Sequence, residues 1–287
     1  ARHGMPAVAL TDTNALFAAL EFSVKAMDEG VQPIVGCQMT LDAGPMCGPV
    51  VLLAQSQQGW MNLMALSTCL HVTPPREFPH VTMAELGKHA EGLICLTGGA
   101  CGPLGLMVAA GKMADAESHL RDLTAMFGDR LYVEIQRHMQ DNGQLMQAEL
   151  ASEGGMIDLA YALNLPLVAT NDVYFPKPEM FGAHDALICI RERAMVDQSA
   201  PRRRLTANHD FKSEKDMLVL FADLPEATAN TVEIAQRCAF AVSKHKPILP
   251  RFADDEVEEL RRQAREGLAA RLSVIPHAVS VEDYNAR

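Results

Sequence analysis

Six short aliphatic runs punctuate the chain at Ala7–Leu10, Pro33–Val35, Val50–Ala54, Leu93–Leu96, Leu131–Ile135 and Leu167–Ala169. Between them lie stretches with helical spacing of apolar residues: Ala15–Glu29, Gly59–Cys69, Thr82–Lys88, Gly105–Phe127 with a break at Gly111, and Asn142–Leu163. Regular alternation of strand and helix is the signature of parallel β/α architecture, and this many units favour a barrel over an open sheet. The runs also lack the polar alternation of half-exposed antiparallel strands. The pattern predicts an α/β chain folded as a distorted, TIM-like β/α barrel. Gly30 and Gly155 stand where helix C-terminal caps are expected, and Pro176-Lys177-Pro178 stops the strand that runs on to Tyr174.

Beyond that strand, Glu179–Arg193 reads as a helix and the Arg-rich Val196–Asn208 as a loop. Ser213–Phe221 reads as a helix with Ser213 at the N-cap and Asp216 completing a near capping box. Asp223-Leu224-Pro225 breaks it, and Glu226–Cys238 follows as another helix. Pro247 and Pro250 mark a linker, after which Asp254–Leu272 is a charged amphipathic helix. The expected division is one domain over residues 1–250 and a linker helix over 251–287.

Composition narrows the function classes. Of 287 residues, 48% are apolar, enough for a sizeable core, and no uninterrupted apolar run approaches the ~18 residues of a membrane span. No signal peptide opens the chain. Ala1–Pro6 read as the tail of a helix running into a strand, which predicts a preceding segment that this sequence lacks. The net charge of −11 argues against a principal grip on nucleic acid, since phosphate binding needs a basic face. Arg202-Arg203-Arg204 is a small local exception. Seven cysteines without CxxC spacing fit reduced, packed thiols in a cytoplasmic protein.

The strand ends carry the candidate chemistry. Two runs end in an Asp flanked by hydroxyl or amide residues: Thr11-Asp12-Thr13-Asn14 and Thr170-Asn171-Asp172-Val173-Tyr174. Chemistry in α/β folds collects at the carboxyl ends of strands. The ends together present Asp12, Gln38, the Gly98-Gly99 turn, Glu134, His138, Asp172 and Tyr174. Carboxylates and imidazoles converging there can hold two or three divalent metals for phosphoester hydrolysis. Each has an ordinary alternative: Asp12 and Asp172 as helix caps, His138 as a hydrogen-bonded histidine, and Glu134 as a partner of Arg137.

In order along the chain, Ala9-Leu10-Thr11-Asp12, Gln32-Pro33-Ile34-Val35-Gly36-Cys37, Trp60-Met61-Asn62-Leu63 and Gly92–Gly98 resemble bacterial DNA polymerase III alpha subunits. So do Leu131-Tyr132-Val133-Glu134-Ile135-Gln136, Ala169–Val173, Ala183-His184-Asp185, Asp223-Leu224-Pro225-Glu226-Ala227 and Leu249-Pro250-Arg251-Phe252. The ordered series runs from about residue 7 to 272. It implies an N-terminal PHP domain, a distorted β/α barrel, leading into the start of a polymerase palm region. The resemblance also implies which ligands are missing. The family's His-x-His pair would precede Ala1. Its Asp-His becomes Asp12-Thr13, its Gly-Cys-Glu becomes Gly36-Cys37-Gln38, its Cys falls at Gly99, and its Asp-x-His becomes Asp172-Val173-Tyr174. Asp12, His138 and Asp172 would be remnant metal positions, with lost ligands at Thr13, Gln38, Gly99 and Tyr174.

Gln and Thr bring no charge, Gly no side chain, and Tyr with a pKa of ~10 stays a phenol. The expectation is a degenerate metal site, no catalytic residues in this chain, and a hydrogen-bonded polar cluster in place of metals. By resemblance the whole protein is a replicative DNA polymerase using Mg2+. This part would brace the polymerase core and dock a proofreading exonuclease and other replicase subunits, with DNA held mainly elsewhere. The competing readings are an active PHP-type phosphoesterase or 3′–5′ exonuclease, and the corresponding domain of an error-prone polymerase.

Overall fold

A computed structural model describes residues 4–72, 77–140, 142–247, 249–276 and 279–286. Ala1–His3, read from sequence as part of a helix end, lie outside the described residues. The chain divides into two compact units, Ala1–Ser243 and Lys244–Arg287.

The first unit begins with β1 (Ala7–Leu10), α1 (Ala19–Asp28), β2 (Gln32–Asp42) and β3 (Cys47–Ala54). Then come α2 (Gln57–His71), β4 (Val81–Thr82), α3 (Met83–Lys88), β5 (Leu93–Leu96), α4 (Pro103–Ala109) and α5 (Met113–Phe127). β6 (Leu131–Gln136), α6 (Gln147–Ala162) and β7 (Leu167–Thr170) complete the sheet, and α7 (Phe181–Glu192), α8 (Glu214–Leu220) and α9 (Pro225–Arg237) follow. The strands form one curled half-barrel sheet in the order β1-β2-β3-β5-β6-β7, with the short β4 paired to β2.

The expected all-parallel pattern holds for β1 with β2, β5 with β6 and β6 with β7. It fails at β3, which is antiparallel to both β2 and β5. Gly44 N donates to Asp42 Oδ1 (2.9 Å) and Ala43 N to the Met46 carbonyl (3.1 Å), closing a tight turn where a parallel pair would need a helical crossover. β2 also runs seven residues past the aliphatic stretch that announces it. Met39 and Leu41 are fully buried while Gln38 and Thr40 face the partly solvated side.

Both faces of the sheet are covered, which is why its runs look continuously apolar. Val50, Leu52, Leu93, Cys95, Leu131, Val133 and Leu167 pack on one face against α2, α4, α5 and α6. Ile34, Val51, Leu53, Ile94, Leu96, Tyr132 and Val168 line the other, closed by Ile234 of α9 and by Cys238. Glu134 and Gln136 share Tyr132's side of β6 by the two-residue period. That face therefore turns from apolar to polar toward the strand's carboxyl end.

Helix ends follow local chemistry. α1 starts at Ala19, four residues later than its apolar spacing suggests, and ends in a Schellman cap: Val31 N donates to the Ala26 carbonyl (2.9 Å) and Gly30 N to that of Met27 (3.0 Å), with Gly30 at φ +69°. The capping role expected of Gly155 is overturned, because that residue sits in the middle of α6. A Cβ there would lie 2.5 Å from Val108 Cγ1, so glycine lets α6 approach α4. The left-handed cap of α6 is Asn164 instead (φ 54°). Ser213 and Asp216 form the full capping box of α8.

The second unit holds α10 (Glu256–Leu272), N-capped by Asp255, and the short α11 (Val281–Asn285). Among the described residues no helix is long and apolar enough to cross a membrane. All seven cysteines are free, with Cys37, Cys95, Cys189 and Cys238 buried.

Candidate functional site

The strand ends bring the expected residues into separate clusters. At the end of β1, Asp12 is exposed, and its backbone carbonyl accepts from Gln38 N (3.2 Å) and Cys37 Sγ (3.3 Å). Thr13 Oγ1 donates to Gln38 Oε1 (3.1 Å). Asn14, at φ 53°, exchanges bonds with Thr40 (Nδ2 to Oγ1, 3.0 Å; Thr40 N to Oδ1, 2.9 Å). Asp12-Thr13-Asn14 thus stitches β1 to β2. The helix-cap role expected of Asp12 is corrected, because Ala18 is the N-cap of α1 and receives no side-chain bond.

A second cluster centres on Glu134, buried at 2% exposure. Its Oε2 accepts from Gly98 N (2.9 Å); its Oε1 lies 2.5 Å from Thr170 Oγ1 and 3.3 Å from Gln136 Nε2. Burial pushes this carboxyl up to about 7, although the Thr170 hydroxyl and the Gly98 N–H pull the other way. The expected pairing with Arg137 does not occur, since that guanidinium forks onto Glu153 and Asp223. Gly99 belongs to this cluster. It sits at φ +58°, and a Cβ on it would lie 2.5 Å from Gln136 Oε1, so the Gln136 amide fills the space a Gly99 side chain would need.

The third cluster gathers His138 and Asp172 with residues that sequence reasoning missed. His138 (2% exposed) is held by Glu149 of α6: its Nδ1 donates to Oε1 (2.6 Å) and its backbone N to Oε2 (2.8 Å). A carboxylate acceptor makes Nδ1 the donor, and Nε2 then faces the cluster without a protein partner. The His138 ring stacks on His209 at 3.8 Å and 9°. Burial, and then His138 beside it, lower His209 to about 3, so it is neutral near pH 7; Thr206 N donates to its Nδ1 (3.2 Å).

Asp172 is half-buried at the end of β7, with its carboxyl raised chiefly by desolvation. The His138 ring, the Tyr174 hydroxyl and Arg203 oppose that shift. It caps no helix either, since the next helical turn starts after Lys177. Tyr174 Oη accepts from Arg203 Nη2 (3.0 Å). Buried Asn171 Oδ1 and His184 Nδ1 are further polar atoms without a protein partner here. Among the described residues no group of three or more His, Cys, Asp or Glu is placed to hold a metal ion.

Glu149 left a faint signal, an acid in the first turn of the helix after His138. His209 left none, and Arg203 stood out only as the middle of the Arg202-Arg203-Arg204 run; they lie 71 and 65 residues from His138 in sequence.

Residues 1–138 match the family model described as PHP domain. The match takes in 138 of the 287 residues. The chain is 46% identical over 293 residues to a DNA polymerase III subunit alpha of Caulobacter vibrioides, covering 98% of this chain and 25% of that protein. It is 40% identical over 298 residues to the subunit of the same name from Rickettsia bellii, covering 99% of this chain and 25% of the relative. An error-prone DNA polymerase of Symbiobacterium thermophilum is 34% identical over 268 residues, with 88% of this chain and 24% of the relative covered. The chain thus spans about a quarter of the length of the curated relatives it matches.

Proposed function

We propose that this PHP domain is the metal-free scaffold portion of a bacterial replicative DNA polymerase III alpha subunit. The observation that carries the reading is the state of Glu134. It is the best-buried carboxylate of the strand-end face, and an N–H, a hydroxyl and an amide occupy its lone pairs. A carboxylate in that state has little left to offer a cation. The donor set does not fit a two- or three-metal centre: Asp12 is exposed past the end of β1, Gln136 stands against Gly99, and a phenol follows Asp172 in place of an imidazole. No hydrolytic step is assigned to these residues.

The relatives' names support the replicative assignment over the error-prone one, with 46% and 40% identity against 34%. In this reading DNA synthesis, with its Mg2+ requirement, belongs to regions beyond the PHP unit, and α10 leads toward them. The domain braces that core and offers a docking face to a proofreading exonuclease and other replicase subunits in the cytoplasm. DNA is contacted mainly outside this acidic chain.

Calorimetry with Zn2+ and Mn2+ tests the metal-free reading: no binding tighter than the micromolar range is expected. Sub-micromolar binding abolished by Asp172→Ala would restore the phosphoesterase alternative. Primer extension tests the scaffold assignment, and activity in the isolated 287 residues would overturn it.

A further inference from the structure

Asp172 is half-buried and partly desolvated, and an anion drawn out of water is stabilised by a nearby cation or a set of donors. Here the positive charge comes from a segment far away in sequence. Arg203 Nη2 donates to Tyr174 Oη (3.0 Å), its guanidinium carbon lies 5.6 Å from the Tyr174 ring centre, and both the Tyr174 hydroxyl and Arg203 act electrostatically on the Asp172 carboxyl. The guanidinium is thereby fixed on the phenol beside the carboxylate.

Arg203 is held on both sides. Arg202 makes a bidentate pair with Asp185 of α7 (Nη1 to Oδ1, 2.6 Å; Nη2 to Oδ2, 2.7 Å), both side chains almost fully buried, and donates to the Val196 carbonyl (3.0 Å). Arg204 lies over the Phe181 ring at 5.7 Å. Downstream, the segment is laced to the end of β7. Asn171 Nδ2 donates to the Asp210 carbonyl (2.7 Å), Tyr174 N to that of His209 (2.9 Å), and Phe211 N to that of Phe175 (3.0 Å). Three consecutive arginines with three different fixed partners do not form a diffuse basic patch for phosphates. They are anchored, and the middle one is aimed at the strand-end face.

We propose that Arg202–Phe211 is an internal strap that seats Arg203 as the fixed counter-cation of Asp172, closing the strand-end face to divalent metals. The proposal rests on the metal-free reading above and adds its cause: a permanently charged guanidinium, which cannot be deprotonated or exchanged, supplies the charge that a dication would bring.

The experiment compares the full chain with R203Q, R203K and R203A, and with R191A as an exposed-arginine control. Thermal unfolding is followed in EDTA and in 1 mM Mn2+ or Zn2+. Gln keeps an N–H donor but loses the charge, and Lys keeps the charge. The expected result in EDTA is a loss of about 3–6 °C for R203Q, a smaller loss for R203K, and none for R191A. Mn2+ or Zn2+ should restore part of the R203Q loss, and adding D172N should abolish that rescue. R203Q as stable as the wild type, or a loss that metal does not touch, overturns the strap's role while leaving the metal-free reading intact. If R203A fails to fold, the contrast between R203Q and R203K still decides. Metal stabilisation of the wild type that depends on Asp172 would instead sink the underlying reading.

Discussion

His209 shows how a single side chain sets the acid limit of this fold. Held near 3 in the folded state against an ordinary 6.5, it stays neutral while the unfolded chain takes up a proton. The group's stabilisation is full above pH 6.5 and drains away as pH falls toward 3. His119, lowered to about 4 by burial in α5, acts in the same direction. His209→Gln is therefore expected to flatten the fall of Tm between pH 6 and 4, removing up to one proton, or about 1.4 kcal/mol per pH unit, from the linkage. Calorimetric scans across that range check it, and parallel curves for variant and wild type would refute it. Gly155 makes a second residue-scale case. Alanine normally favours a helix interior by up to about 1 kcal/mol. At this position its methyl would meet Val108 Cγ1 at 2.5 Å. Gly155→Ala is expected to destabilise by about 1–3 kcal/mol, read as a lower urea midpoint.

Among the elements, the junction of β6, α6 and α9 hangs on Arg137. Its guanidinium forks onto Glu153 of α6 (3.0 and 2.7 Å) and onto Asp223 before α9 (2.6 and 2.8 Å), bonds the Leu220 carbonyl (2.9 Å) and lies over Phe221 at 4.9 Å. Arg137→Ala strands Glu153 and the carbonyl, at an expected cost of about 2–4 kcal/mol. Lysine should recover less than half of it, having one ammonium for a planar fork. Denaturant titration of the three proteins gives the ranking. This clamp also explains the Asp223-Leu224-Pro225-Glu226-Ala227 run. Asp223 holds Arg137, Leu224 and Ala227 are buried, Pro225 opens α9, and Glu226 accepts from Tyr161 Oη (2.5 Å). Sequence reading found the elements because burial on both faces leaves unbroken aliphatic runs. It missed the reversal at β3 because an apolar run carries no direction. The turn Asp42-Ala43-Gly44-Pro45 was the available signal. At the site, strand ends placed Asp12 and Asp172 on the polar rim. Their separation into different clusters depends on the curl of the sheet and on Gln38 and Tyr174, which no local pattern encodes. Glu149, His209 and Arg203 reach the rim through tertiary packing alone.

For the whole molecule, the reversed β3 has a kinetic meaning. Seven residue pairs from Gly36–Leu53 to Asp42–Cys47 are joined by a four-residue turn. Every other neighbouring pair in the sheet must first close a far longer loop, at a growing entropic cost. The β2–β3 ribbon can therefore zip on the microsecond scale typical of hairpins, ahead of the slower parallel pairings. β1 and β4 then find a ready edge on β2, and β5 one on β3. Pulse-labelled hydrogen exchange during refolding should protect the amides of Val50–Leu53 before those of Val168 and Ala169. The hairpin that breaks the barrel's regularity is thus the template on which the remaining strands assemble.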